Sequence, residues 1–161
     1  MSKAADTKKV IDLLNAGRAS ELTAIMQYMA HHYELADQDY GQLAKVLKTT
    51  AIEEMKHAEA LAERILFLGG EPTTKPDGDV KKGQAITAML KTDIGLESGA
   101  VVMYNASANA CAQAGDQIAK QLFETLLADE EAHLDAFQNI QDHLDKLGDA
   151  YLATLAGGAA E

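Results

Sequence analysis

Two short segments of this 161-residue chain, Glu54-Met55-Lys56-His57 and Glu130-Glu131-Ala132-His133, share one pattern: a glutamate followed three residues later by a histidine. Each is preceded at the same distance, 33 residues, by a further glutamate, Glu21 before Glu54 and Glu97 before Glu130. Positions i and i+3 share one face of a helix, so each Glu-x-x-His pair can aim a carboxylate and an imidazole at one point. Four carboxylates and two imidazoles brought together are the donor set of a carboxylate-bridged two-metal centre in a helix bundle. In that arrangement Glu21 with His57 and Glu97 with His133 each serve one ion, while Glu54 and Glu130 bridge the two. Mixed oxygen and nitrogen donors, no thiolate and open coordination positions suit iron or manganese better than a closed structural zinc site. A single Glu-x-x-His is ordinarily a solvated helix face; the duplication with matched upstream glutamates carries the chemistry. Without metal, raised carboxylate pKa values or altered ligand positions are expected of so crowded a site.

Helices must supply the positions. The apolar pattern of Val10, Leu13, Leu14, Leu22, Ile25, Met26 and Met29 predicts a first helix over about Asp6 to Leu35, broken at Asp37-Gln38-Asp39-Tyr40-Gly41. A second helix runs to Leu68, where Gly69-Gly70 and then Pro72 end it. A third runs from about Gly83 to Ala114, with Gly95 and Gly99 inside it. Gly115-Asp116 makes a turn with a ready N-cap, and a fourth helix continues through Leu122, Leu126, Ala132, Leu134, Phe137, Ile140 and Leu144 to Gly148. A short fifth segment, Asp149 to Leu155, precedes Gly157-Gly158. Two residues of an antiparallel hairpin are level when equidistant from its turn. The midpoint of Glu21 and Glu54 falls between Asp37 and Gln38, and that of Glu97 and Glu130 between Gln113 and Ala114, beside the Gly115 turn. Both hairpins therefore level their own glutamates.

The connection from Gly69 to Lys82 is 14 residues long, against about 2–8 for neighbouring helices in bundles. Extended, it reaches roughly 46 Å at about 3.3 Å per residue, more than the roughly 40 Å of a 27-residue helix. It can cross the whole bundle, which favours a ferritin-like connectivity with one long crossover.

Composition agrees with one all-α domain over residues 1–161: Gly and Pro number 12 and 2, and helical periodicity runs almost throughout. The net charge of −11 disfavours nucleic acid and anionic membranes and favours cations. The single Cys111 can form no internal disulfide and no thiolate cluster, consistent with a reducing compartment. Neither a signal-peptide core near the N-terminus nor a membrane-length apolar run is present, so a cytoplasmic protein is expected. Tyr28 lies two helical turns after Glu21 on the same stripe and can hydrogen-bond a ligand or simply pack. His31, His32 and His143 have no partner at ligand spacing and read as structural or surface residues.

These segments, with "ELTAIMQY", "EEMKHAEALAERILFLGG" and "LLADEEAHLD", resemble the bacterioferritins, the haem-containing branch of the ferritin family, over almost the whole chain. The resemblance implies a shell of 24 identical subunits that oxidises iron(II) at a di-iron ferroxidase centre and stores ferric mineral. Its ligands match Glu21, Glu54, His57, Glu97, Glu130 and His133, and Tyr28 matches a tyrosine near that centre. It also implies a haem b or related iron porphyrin shared between two subunits, with Met55 of each as axial ligand, and a ferredoxin-type reductant. Met55 lies about 100° around the helix from Glu54 and so points away from the metal stripe; read without the resemblance, it is a core or interface residue. The fifth helix becomes a candidate lining of a symmetry axis. An inner-surface iron site of some relatives uses a histidine and an aspartate where this chain has Thr49 and Glu53, which leaves that site in doubt. A rubrerythrin-like di-iron peroxide reductase and a non-catalytic haem-carrying cage stay open as alternatives, although the first lacks its paired-cysteine module here.

Overall fold

A computed structural model describes residues 3–160, with side chains from residue 6 onward; residues 1, 2 and 161 of the expected domain lie outside it. Four long helices, α1 (Lys3–Asp37), α2 (Gly41–Phe67), α3 (Ile86–Gln113) and α4 (Gln117–Leu147), are followed by a short α5 (Asp149–Leu155). Helix α1 packs along α2 and α3 along α4, giving two hairpins that meet through α1 with α3 and α2 with α4. Among the described residues there is no strand, and no helix is long and apolar enough to cross a membrane.

Both hairpin turns, and the end of α2, use one device. After α2, Gly69 N–H donates to Leu66 O and Gly70 N–H to Ile65 O; after α3, Gly115 N–H donates to Ala112 O and Asp116 N–H to Cys111 O. Each is a Schellman closure with glycine at positive φ, 81° for Gly69 and 78° for Gly115. The α1–α2 turn repeats the pattern, Asp39 N–H to Ala36 O and Tyr40 N–H to Leu35 O, but places Asp39 at φ 62° where glycine is usual. Asp116 then caps α4 by accepting from Ala119 N–H at 2.9 Å, as its position predicted.

The long crossover lies along α1 and runs parallel to it, held by side chains that recur down one stripe of that helix. Asn15 accepts from Thr73 N–H at 2.7 Å, and Thr23 bonds the Asp77 carboxylate at 2.5 Å. Gln27 exchanges two bonds of 2.8 Å with the Lys81 backbone, and Glu34 accepts from Gly83 N–H at 3.0 Å. The third helix is shorter than expected. Gly83 sits at φ 68° and Ala85 is extended, so helical geometry starts only at Ile86.

The apolar core is divided into two clusters. One gathers Val10, Leu14, Leu61, Ile65, Tyr104, Cys111, Phe123 and Leu126; the other gathers Tyr28, Leu35, Leu43, Leu47, Met89 and Phe137. On every long helix the glutamates of the paired motifs fall between the residues given to one cluster and those given to the other, so a polar layer divides the bundle. The expected apolar face of α1 also splits. Val10 and Leu14 are buried, whereas Met26 is half exposed, because a helix packed on two neighbours leaves a third flank outward.

Candidate metal centre

Glu21, Glu54, Glu97 and Glu130 are all buried, one from each long helix. His57 and His133 lie one helical turn beyond the α2 and α4 glutamates, with side chains 8% and 10% exposed. The six groups form two sets of possible metal donors, Glu21, Glu54, His57 and Glu130, and Glu54, Glu97, Glu130 and His133; within each set the donor atoms lie within 4.8 Å of one another. Glu54 and Glu130 belong to both sets, the places expected of bridging carboxylates.

The two histidines turn Nδ1 inward. His57 Nδ1 lies 2.8 Å from Glu54, 2.9 Å from Glu130 and 3.5 Å from Glu21. His133 Nδ1 lies 3.0 Å from Glu54, 3.6 Å from Glu130 and 3.8 Å from Glu97. The rings are roughly parallel, with centroids 5.9 Å apart and planes 23° from coplanar. Short as these distances are, both Nδ1 atoms, both oxygens of Glu54 and one each of Glu97 and Glu130 are buried without a well-aligned hydrogen bond. Buried polar atoms left without aligned hydrogen bonds are costly in an ordinary core. Donors aimed at common points between them account for the arrangement, and the residues present fit two divalent ions.

Electrostatics follow from burial and crowding. Burial pushes Glu21 up to about 8, against the pull of His57, and pushes Glu97 up to about 11, with Glu130 and the charge of Glu54 adding to it. Glu54 and Glu130 go the other way: burial opposes their charge, but the imidazoles of His133 and His57 outweigh it, and Glu130 falls to about 2. Burial likewise opposes charge on the histidines, yet the surrounding carboxylates win. His133 is raised to about 11, and His57 is held protonated far above its ordinary range.

Tyr28 donates from its hydroxyl to Glu97 Oε1 at 2.5 Å. Tyr104, which the sequence reading passes over, donates to Glu21 Oε1 in the mirrored contact. The signal was present: Tyr104 follows Glu97 by seven residues, the interval from Glu21 to Tyr28. Each tyrosine thus leaves its own helix to hold the outer glutamate of the other hairpin. Gly17 makes room for one of them, since a Cβ there would meet the Tyr104 ring at 3.2 Å.

The remaining candidates lie elsewhere. Met55 is 55% exposed and lines a shallow cleft of about 390 Å³ with Arg18, Leu22, Ile25, Ala58, Glu59 and Ala62. His31 is buried against Asp93 at 2.9 Å, His32 bonds the Ala44 carbonyl at 2.8 Å, and His143 is exposed beside the Asn139 carbonyl. Thr49 lies at a separate cleft with Gln42, Lys45 and the C-terminal Gly158.

A ferritin-like domain model matches residues 11–147. The chain is 48% identical over 149 residues to the bacterioferritin of Desulfovibrio desulfuricans, covering 92% of this chain and 83% of that protein. It is 38% identical to the bacterioferritin of Brucella melitensis, covering 95% of each. Among solved structures, the D. desulfuricans bacterioferritin, described with its diiron site in different catalytic states, superposes with a TM-score of 0.97 at 44% identity, over 100% of this chain and 94% of that one. The Rhodobacter capsulatus bacterioferritin, described with a metal-free dinuclear site and a heme iron, gives 0.89 at 36% identity over 96% of each chain.

Proposed function

The chain belongs to the bacterioferritins, within the family of ferritin-like domains, and on that premise we propose that it takes up iron(II), oxidises it at an intrasubunit ferroxidase centre and stores the ferric product in a 24-subunit shell. The observation that carries this reading is the pair of buried four-donor sets sharing Glu54 and Glu130. Iron(II) is the substrate, with Glu21 and His57 holding one ion, Glu97 and His133 the other, and Glu54 and Glu130 common to both. Bound there, iron supplies the redox chemistry, electron transfer to dioxygen or peroxide. The protein's part is to arrange charge and protons. Four carboxylates offset the charge of two divalent ions, and a buried site strengthens that attraction. Tyr28 and Tyr104 orient the outer glutamates through their hydroxyls.

Met55 is the proposed axial ligand of a haem shared by two subunits. The exposed thioether beside the Leu22, Ile25 and Ala58 side chains fits half of such a site, a second copy supplying the other. A ferredoxin-type reductant is the electron donor expected for releasing the stored iron.

Titration of metal-free protein with iron(II) under air tests the central claim. A break in oxidation near about two irons per chain, matching the two donor sets, is expected, and Glu54→Ala or His133→Ala should abolish it. Oxidation no faster than in buffer would overturn the ferroxidase reading. A Met55→Leu protein retaining a normal low-spin haem spectrum would overturn the haem assignment.

A further inference from the structure

His57 and His133 present only one ring nitrogen to the buried glutamates; the other, Nε2, meets a carboxylate from the opposite hairpin. His57 Nε2, on α2, lies 3.2 Å from Asp129 Oδ2 on α4, and His133 Nε2, on α4, lies 2.8 Å from Glu53 Oε2 on α2. Glu53 and Asp129 immediately precede Glu54 and Glu130, and each sits four residues before the histidine of its own helix. A same-helix pair at i, i+4 was therefore available to both. Both instead reach across. The two acids are 45% and 55% exposed, and with Lys56 and Ala132 they line a cleft of about 380 Å³ over the two rings.

We propose that Glu53 and Asp129 are crossed positioning residues: each accepts the Nε2–H of the histidine on the other hairpin and so holds that ring with Nδ1 toward the bridging glutamates. The inference rests on the reading of the Nδ1 atoms as metal donors. A neutral imidazole carries one N–H, and fixing it at Nε2 leaves the Nδ1 lone pair as the ligand. Without the acceptor, the ring samples both tautomers and swings about its side-chain bonds. Each Glu-x-x-His motif thus supplies ligands to the centre and, from the residue before it, a brace for the other motif's histidine.

Cobalt(II) titration of the metal-free assembled protein, followed by visible absorption, tests the crossing. Because both acids are surface-facing, alanine at either leaves the fold intact, which circular dichroism melts verify. Glu53→Ala should weaken cobalt(II) binding about ten- to a hundredfold at one of the two ions. Glu53→Gln, which keeps a carbonyl oxygen to accept the N–H, should restore most of that loss. In a His133→Ala background Glu53→Ala should have no further effect, whereas in a His57→Ala background it should still weaken binding; Asp129→Ala should show the reverse. Unchanged affinity in both alanine variants would overturn the proposal, as would equal losses in both backgrounds or a Gln variant as weak as Ala, which would mark loss of charge as the cause. A parent protein that takes up no cobalt(II) would instead overturn the metal-centre reading itself.

Discussion

At neutral pH the centre balances its own charge before any metal arrives. Glu21 and Glu97, raised by burial to about 8 and about 11, hold protons; Glu54 and Glu130 are ionised and His57 and His133 are imidazolium. Two divalent ions with four carboxylates and two neutral imidazoles are equally balanced, so loading must expel the protons of Glu21, Glu97, His57 and His133. Calorimetric titration with zinc(II) at pH 7 in buffers of different ionisation enthalpy should therefore report release of about four protons per chain, and affinity should climb with pH. The same shift sets a stability slope in the metal-free protein. Glu21 keeps in the folded state a proton that the unfolded chain loses near 4.5, so its contribution is complete below that pH and disappears as pH rises through about 8. Glu21→Gln, neutral throughout, should show a shallower fall in thermal stability across that window.

Among the elements, the turns and the C-terminal segment place the sharpest demands. Gly157 N–H donates to Asp39 O at 2.6 Å, and a Cβ on Gly41 would collide with the Gly158 carbonyl oxygen, so backbone meets backbone at the start of α2. Gly41→Ala should displace the chain beyond α5, seen as faster proteolysis of the C-terminus with the four-helix circular dichroism signal kept. At the other end of the bundle Asp116 caps α4 and accepts from Arg64 Nη2 at 2.6 and 2.8 Å. Burial opposes its charge, but Arg64 and the α4 amide of Ala119 hold its carboxyl below the usual range. Its stabilisation is therefore present above the unfolded value of 3.8 and is lost as pH falls below it. Asp116→Ala should cost about 1 kcal/mol at neutral pH and progressively less in acid, measured by denaturant titration. The helices, their order and the level hairpins were legible because 3.6-residue periodicity and equal intervals act within one element. Met55 was legible as outward-facing for the same reason. The polar stripe of Asn15, Thr23, Gln27 and Glu34 was not, since its partners are the Asp77 carboxylate and backbone groups of a crossover with no period of its own. The exposure of Met26 was hidden likewise, because apolar type alone cannot tell a core face from a flank.

On the scale of the whole molecule, the chain's charge of −11 makes a field that draws cations toward the protein. Initial iron(II) uptake in stopped-flow measurements should slow several-fold as ionic strength rises from about 0.01 to 0.15 M, where the screening length falls from about 30 to 8 Å. Size-exclusion chromatography with light scattering should give the mass of 24 copies of a 17.2 kDa chain. The two donor sets are each built from both hairpins: the first takes Glu21, Glu54 and His57 from one and Glu130 from the other, and the second reverses the proportion. During translation the first hairpin emerges long before Glu130 exists, carrying three donors and no second bridge. On the proposed reading, a nascent subunit should therefore hold iron poorly until the last long helix has docked.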